Sequence, residues 1–351
     1  MKKLLTLLSL LTVSLYPQEG GRPCLDYQLY GEVLFLQPNG SSLCYAVEAI
    51  PKNYKLPNPL LEANWFAHEI SPSYYPAFDI GAKIEFLDME MCLVLDYERL
   101  SGGEVQQFNV PNGFAMVGPL FDIGPDAEPY ISAKGKAVFR FDMAGLLLEK
   151  RLYNNQCWMI DYCVGASFAR IKQYMRTQYS SAGGSIARVI KNPSLFLGGG
   201  ITSGGSFAFR VANHFQIMGS SSISLLMGCM TNRVTYRSYA PSISQAGNPQ
   251  PTTERTRVPN RSQLVPGFEE KFGFTFDFPI SCNGTFSIEA GYLFQIFLNA
   301  IQNFDITVIV DASDLTSSGL VFTDGYYAQG FQRTLSNFIL TGPYLNLNAT
   351  F

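Results

Sequence analysis

The chain has 351 residues, with 25 basic against 28 acidic side chains for a net charge of -3; 15% of its residues are charged and 14% aromatic. A soluble protein usually carries about 25% charged residues, so much of this surface is not built to meet water. The slight negative balance argues against a nucleic-acid partner. Beyond residue 15 no apolar stretch approaches the ~20 residues that a helix needs to cross a bilayer.

The first residues, Met1, Lys2 and Lys3, precede an apolar run from Leu4 to Leu15. This is the layout of a secretory signal peptide, and it is too short for a helical anchor. Residues 1–19 are expected to be a removed leader and residues 20–351 a single structure. Only helices and closed β-barrels satisfy every backbone group in lipid. An exported chain with little charge and no helical span is therefore expected to be a barrel.

A two-residue alternation then recurs along the chain. Phe78, Ile80, Ala82, Ile84 and Phe86 alternate with Asp79, Lys83 and Glu85, and Ala137, Phe139, Phe141 and Met143 with Lys136, Arg140 and Asp142. Phe207, Phe209 and Val211 oppose Ser206 and Arg210. Phe272, Phe274, Phe276 and Phe278 oppose Lys271, Gly273, Thr275 and Asp277, and Phe286 to Ile296 carry Ser287, Glu289, Gly291 and Gln295 between apolar neighbours. In a strand such spacing puts one set of side chains on each face. A soluble sandwich alternates too. Strands of about 10 residues or more, against the usual 5 to 6 of globular sheets, and apolar rows rich in Phe and Tyr favour a membrane barrel with its apolar face outward. The expected fold is an all-β transmembrane antiparallel barrel of roughly 12 to 16 strands. Arg170, Lys172 and Arg176 continue the row of Tyr162, Val164, Ala166 and Phe168. Either that strand has left the hydrocarbon there or a bulge switches its faces. Polar stretches at about Asn232–Pro266 and Asn303–Ala328 read as long loops.

At the C-terminus Leu345, Leu347, Ala349 and Phe351 alternate with Asn346, Asn348 and Thr350. A last strand ending in Phe is similar to the signal read by the machinery that inserts bacterial outer-membrane barrels. Seven cysteines, at 24, 44, 92, 157, 163, 229 and 282, make an odd number. After export, disulfides within the chain or to a second copy are one reading, and apolar strand filler is the other, as for Cys229 in the row of Ile223, Leu225 and Met227. Catalytic signatures fail. There is no G-x-S-x-G, His68-Glu69 lacks the second histidine of a zinc motif, and Gly198 to Gly200 with Gly204 and Gly205 lack the lysine of a phosphate loop. No catalytic residue, metal or cofactor is expected.

The order of segments resembles the Legionella-type major outer membrane protein family. The likeness begins at Tyr30 to Pro38 with Leu43 to Ala46. It continues through Tyr75 to Gly81, Leu93 to Arg99, Phe141 to Glu149, Asp161 to Ile171, Leu195 to Gly228 and Glu289 to Gln295, and ends near Gln329, Gly330 and Leu335. The final Asn348 to Phe351 depart from the family's usual ending. The resemblance implies a barrel in the bacterial outer membrane regarded as a porin.

On that reading the charged members of the polar rows line a lumen: Lys83, Glu85, Lys136, Arg140, Asp142, Arg210, Lys271, Asp277 and Glu289. The expected function is passive diffusion of small hydrophilic solutes, with outer-membrane lipid, the insertion machinery, the solutes and a second, disulfide-linked copy as partners. The rival readings are a non-conducting structural envelope protein cross-linked through cysteines, and a surface adhesin.

Overall fold

The computed structural model describes residues 25–40, 43–51, 63–86, 90–110, 115–117, 130–180, 186–238, 252–257, 259–280, 284–308 and 329–350. The expected leader, Cys24, Cys282 and Phe351 lie outside them. The alternating segments form β1 (Leu25–Asn39), β2 (Cys44–Pro51), β3 (Ala63–Glu69), β4 (Tyr75–Phe86), β5 (Met91–Asn109), β6 (Ala115–Val117) and β7 (Ser132–Asn154). They are followed by β8 (Trp158–Ser180), β9 (Ile186–Ala212), β10 (Phe215–Ser238), β11 (Thr252–Arg257), β12 (Arg261–Pro279), β13 (Thr285–Val308) and β14 (Gln329–Thr350).

Ten of these strands close on themselves in the order β1-β4-β5-β7-β8-β9-β10-β12-β13-β14, all antiparallel, with β14 returning to β1. Closure leaves no unpaired strand edge in lipid. β11 extends the wall by pairing with the far end of β10, and β2, β3 and β6 form a small separate sheet. The fold is the expected barrel, but the ring holds ten strands rather than 12 to 16. The reason is strand length: the ring strands run from 12 to 27 residues, whereas crossing a bilayer takes about 9–11. The extra length consumes stretches that read as loops. Asn232–Ser238 belongs to β10, Arg261–Pro266 to β12 and Asn303–Val308 to β13.

The two ends of the barrel differ. The ends of β4, β7, β9 and β12, each followed after at most five residues by its partner strand, lie at one end together with the start of β1 and the end of β14. In the 155–157 turn Asn155 Oδ1 accepts the backbone N–H groups of Cys157 at 2.9 Å and Trp158 at 2.6 Å, an Asx turn that reverses the chain at little cost. The longer connections all lie at the other end, the asymmetry expected of short periplasmic turns and longer outside loops.

β8 shows how the wall meets its surroundings. Its even row is outermost along the whole strand, from Trp158, Ile160, Tyr162, Val164, Ala166 and Phe168 to Arg170, Lys172 and Arg176, while the odd row turns inward. Pairing to β7 and β9 runs unbroken from Asp161 to Tyr179. No bulge switches the faces of β8 at the basic residues, which leaves the strand passing out of the hydrocarbon as the explanation that stands. Ten residues of rise at ~3.3 Å each, inclined ~40° to the axis, make Trp158 to Phe168 a band ~25 Å tall, the height of an outward apolar belt.

Candidate functional site

The bore is the candidate site, and its wall changes character along its length. In the short-turn half the pattern has the expected sense. Phe272, Phe274, Phe276 and Phe278 point out, and Lys271, Thr275 and Asp277 point in. Asp277 is held by Gln216 Nε2 at 2.5 Å and Ser287 Oγ at 2.7 Å. Near the mouth Lys83 Nζ meets Glu149 Oε2 at 3.1 Å, and Arg151 bridges Glu85 at 3.3 Å and Asp161 at 3.4 Å.

Midway along, ionisable side chains reach across the bore. Lys271 Nζ on β12 lies 3.0 Å from Glu32 Oε2 on β1 and 3.9 Å from Asp79 Oδ2 on β4, spanning two intervening strands to the first and three to the second. It also lies 5.5 Å from the centre of the Tyr344 ring. Gln295 Nε2 donates to Glu98 Oε2 at 2.8 Å and Glu269 Oε2 at 2.6 Å. Tyr344 Oη donates to Glu289 Oε1 at 2.6 Å, and Asn346 Nδ2 to Glu289 Oε2 at 3.3 Å. Tyr344 can lie flat here because its neighbours are glycines. A Cβ on Gly273 would stand 2.7 Å from Tyr344 Oη, and one on Gly291 2.8 Å from Tyr344 Cζ.

In the long-loop half the sense reverses. Phe139, Phe141, Phe196, Phe338, Leu36 and Leu340 are fully buried inside the barrel, while Lys134, Lys136 and Arg140 occupy the exposed outer row of β7. The Phe141 ring on β7 meets Phe297 on β13 at 5.3 Å and Phe338 on β14 at 6.0 Å, so opposite walls touch. Above them Tyr45 of β2 joins the buried cluster, its carbonyl accepting from Tyr179 Oη at 2.7 Å.

The expected lining residues therefore divide. Lys83, Glu85, Lys271, Asp277 and Glu289 stand on the inner wall. Lys136, Arg140 and Asp142 do not: they share the outer row of β7 with Leu146 and Leu148, and Asp142 pairs outside with Arg99 at 3.7 Å and with Tyr97 Oη at 3.0 Å. The apolar set Ala137, Phe139 and Phe141, read as facing lipid, faces the bore instead. The outer row of this half carries Lys134, Lys136 and Arg140, so the apolar face that must be buried is the inner one. Arg210 continues the inner row of β9 but is exposed at the short-turn rim, where its N–H donates to the Cys157 carbonyl at 2.8 Å. Glu32, Glu98, Glu149, Arg151 and Glu269 also stand in the bore, and the alternation in the sequence does not mark them. Glu32 is only 3% exposed, yet its sequence neighbours Val33, Leu34, Phe35 and Leu36 are apolar on both faces and hide the alternation.

The glycine cluster of β9 serves close packing. Gly198 lies opposite Gly228 of β10, and a Cβ there would come within 2.9 Å of the Gly228 Cα. Cys44, Cys92, Cys157, Cys163 and Cys229 are free thiols. Among the described residues no cluster of His, Cys, Asp and Glu suited to a metal ion occurs.

No curated protein matches the sequence. Among solved structures the barrel is similar to the outer membrane protease OmpT from Escherichia coli, at 12% identity over 93% of this chain and 96% of that one, with a TM-score of 0.42. It is also similar to a Pseudomonas aeruginosa FadL homologue, at 8% identity over 93% and 90% and a TM-score of 0.22, and to the Pseudomonas putida toluene transporter TodX, at 6% identity over 97% and 91% and a TM-score of 0.27. A family model described as the Legionella pneumophila major outer membrane protein precursor matches residues 22–351. The chain belongs to that family and is a β-barrel protein of the bacterial outer membrane.

Proposed function

We propose that the protein is a structural barrel of the outer membrane whose bore is closed to solutes and which carries out no chemical step. The observation that carries this reading is the contact of Phe141 with Phe297 and Phe338 across the barrel. A constriction of apolar side chains excludes water and the ions that travel with it. Ten strands also enclose little more than the eight whose interior side chains fill. A major component of the membrane, as the family's description has it, fits a load shared among many copies. Cys157 and Cys229 are exposed thiols through which neighbouring copies could be linked.

The test is conductance across a planar bilayer holding the refolded full-length protein, with heat-modifiable gel mobility as the check that the barrel has formed. Silence from the native chain and steps from the Phe141→Ser/Phe338→Ser variant are expected, and discrete steps from the native chain would overturn the reading. A second reading, a gated channel for small hydrophilic solutes, is favoured by the charged wall of the short-turn half. Native steps altered by Lys83→Glu would establish it.

A further inference from the structure

Just beyond the apolar band of the outer wall the basic residues meet one another. Arg140 of β7 stands directly opposite Lys172 of β8. Four residues further toward the long loops, beyond Val138 and Tyr174, Lys136 is opposite Arg176, and Arg176 is opposite Lys191 of β9. Arg170 opens the set one level below, next to Asp142, which Arg99 already holds from the other side. All six point outward. None of them forms an ion pair with a carboxylate among the described residues.

Like charges directly opposite each other on one face of a sheet destabilise it. Two such levels on three adjacent strands therefore leave a strong, unmet demand for anionic charge. Their height decides where that charge comes from. Phe168, Ala166 and Val164 on the same row of β8 are the upper part of the ~25 Å apolar belt, so Arg170 and Lys172 fall where acyl chains end and headgroups begin.

We infer that the outer wall of β7, β8 and β9 is a binding surface for phosphorylated lipid headgroups of the leaflet on the long-loop side, with Lys136, Arg140, Arg170, Lys172, Arg176 and Lys191 as its cations. Arginine holds a phosphate through two parallel hydrogen bonds and lysine as a point charge. The alternation of the two across β7 and β8 puts both kinds of donor at each level. The bound lipid supplies the charge that the sheet lacks, so occupancy stabilises the barrel.

The experiment uses the refolded full chain in nanodiscs of phosphatidylcholine doped with a small fraction of a bis-phosphorylated diglucosamine lipid, with retained lipid counted by native mass spectrometry. The native chain is expected to retain the doped lipid. The Arg140→Gln/Lys172→Gln variant is expected to bind it roughly thirtyfold more weakly, at about 1 kcal/mol per basic residue at an anionic surface, while matching or exceeding the native chain in stability in undoped discs. Lys150→Gln/Arg210→Gln, the same charge change at the opposite end, should leave retention unchanged. Equal retention by all three proteins, equal loss in both variants, or displacement of the lipid by inorganic phosphate at low millimolar concentration would each overturn the inference.

Discussion

Replacing Lys271 with methionine keeps the length of the side chain and removes its charge from the middle of the bore. The ammonium stands 3.0 Å from Glu32 and 3.9 Å from Asp79, and the Glu32 side chain is 2% exposed. Removing one member of a buried pair leaves its partner charged without compensation and costs about 3–5 kcal/mol. The Lys83–Glu149 pair is a control of the same chemistry, since its side chains are 30% and 24% exposed. Solvent screens that pair, and Lys83→Met is expected to cost about 1 kcal/mol or less. The assay is urea unfolding of the refolded chain in lipid vesicles, followed by heat-modifiable gel mobility. Lys271→Met should unfold at clearly lower urea than Lys83→Met, and adding Glu32→Gln to Lys271→Met should restore part of the loss by removing the stranded charge. Equal midpoints for the two lysine variants, or a double variant worse than Lys271→Met alone, would refute the assignment of Lys271 as the cation that holds the two walls together.

Two further expectations test the wall itself. Gly291→Ala should destabilise the barrel by about 1–3 kcal/mol through overpacking against the Phe272 carbonyl of the neighbouring strand and the Tyr344 ring, whereas Gly31, with no atom within 4 Å of where a Cβ would stand, should accept alanine at almost no cost. The same unfolding assay compares them, and equal effects would contradict the close packing around Gly291. In single-cysteine variants reconstituted in vesicles, Cys157 in its exposed turn should react with a charged thiol reagent. Cys229 on the outer row should react instead with a lipid-soluble one, and Cys163 on the inner wall should be slower than Cys157 with the charged reagent. Equal rates for Cys163 and Cys157 with the charged reagent would contradict the inner-wall placement of Cys163.

The sequence declares which residues share a face but not which face is inside. On β12 the row of Phe272 to Phe278 is unmistakable, and the outward direction follows correctly from the demand of lipid. On β7 the row of Ala137, Phe139 and Phe141 is just as clear, yet it points the other way, because the opposite row in that half carries Lys134, Lys136 and Arg140 and takes the outside. Period-two alternation is symmetrical under this exchange, so only the position of the membrane along the strand breaks the tie. Arg170, Lys172 and Arg176 carried that information, being cations on an otherwise apolar row. Extending the same logic one strand back, to Lys136 and Arg140 opposite them, identifies the water-facing half. Glu32 and Glu98 escaped for a different reason. They sit where the two senses meet and both faces are partly apolar, so no alternation marks the carboxylates that Lys271 and Gln295 reach.

This change of sense ties closure of the bore to stability. A wall standing above the membrane has water on its outer face and must still bury an apolar one, and inside a closed ring the only place left is the bore. Phe139, Phe141, Phe196 and Phe338 therefore act as the hydrophobic core of the water-exposed half, with each large side chain contributing about 1.5–3 kcal/mol by its burial. Polar substitutions that open the passage remove that contribution from the same residues. Phe141→Ser/Phe338→Ser is expected to gain conductance and to lose several kcal/mol together, read as current steps in a bilayer and as a lower urea midpoint in vesicles. A variant that conducts while unfolding at the native midpoint would separate the two roles and show that the aromatic contact is a gate laid over a core built elsewhere.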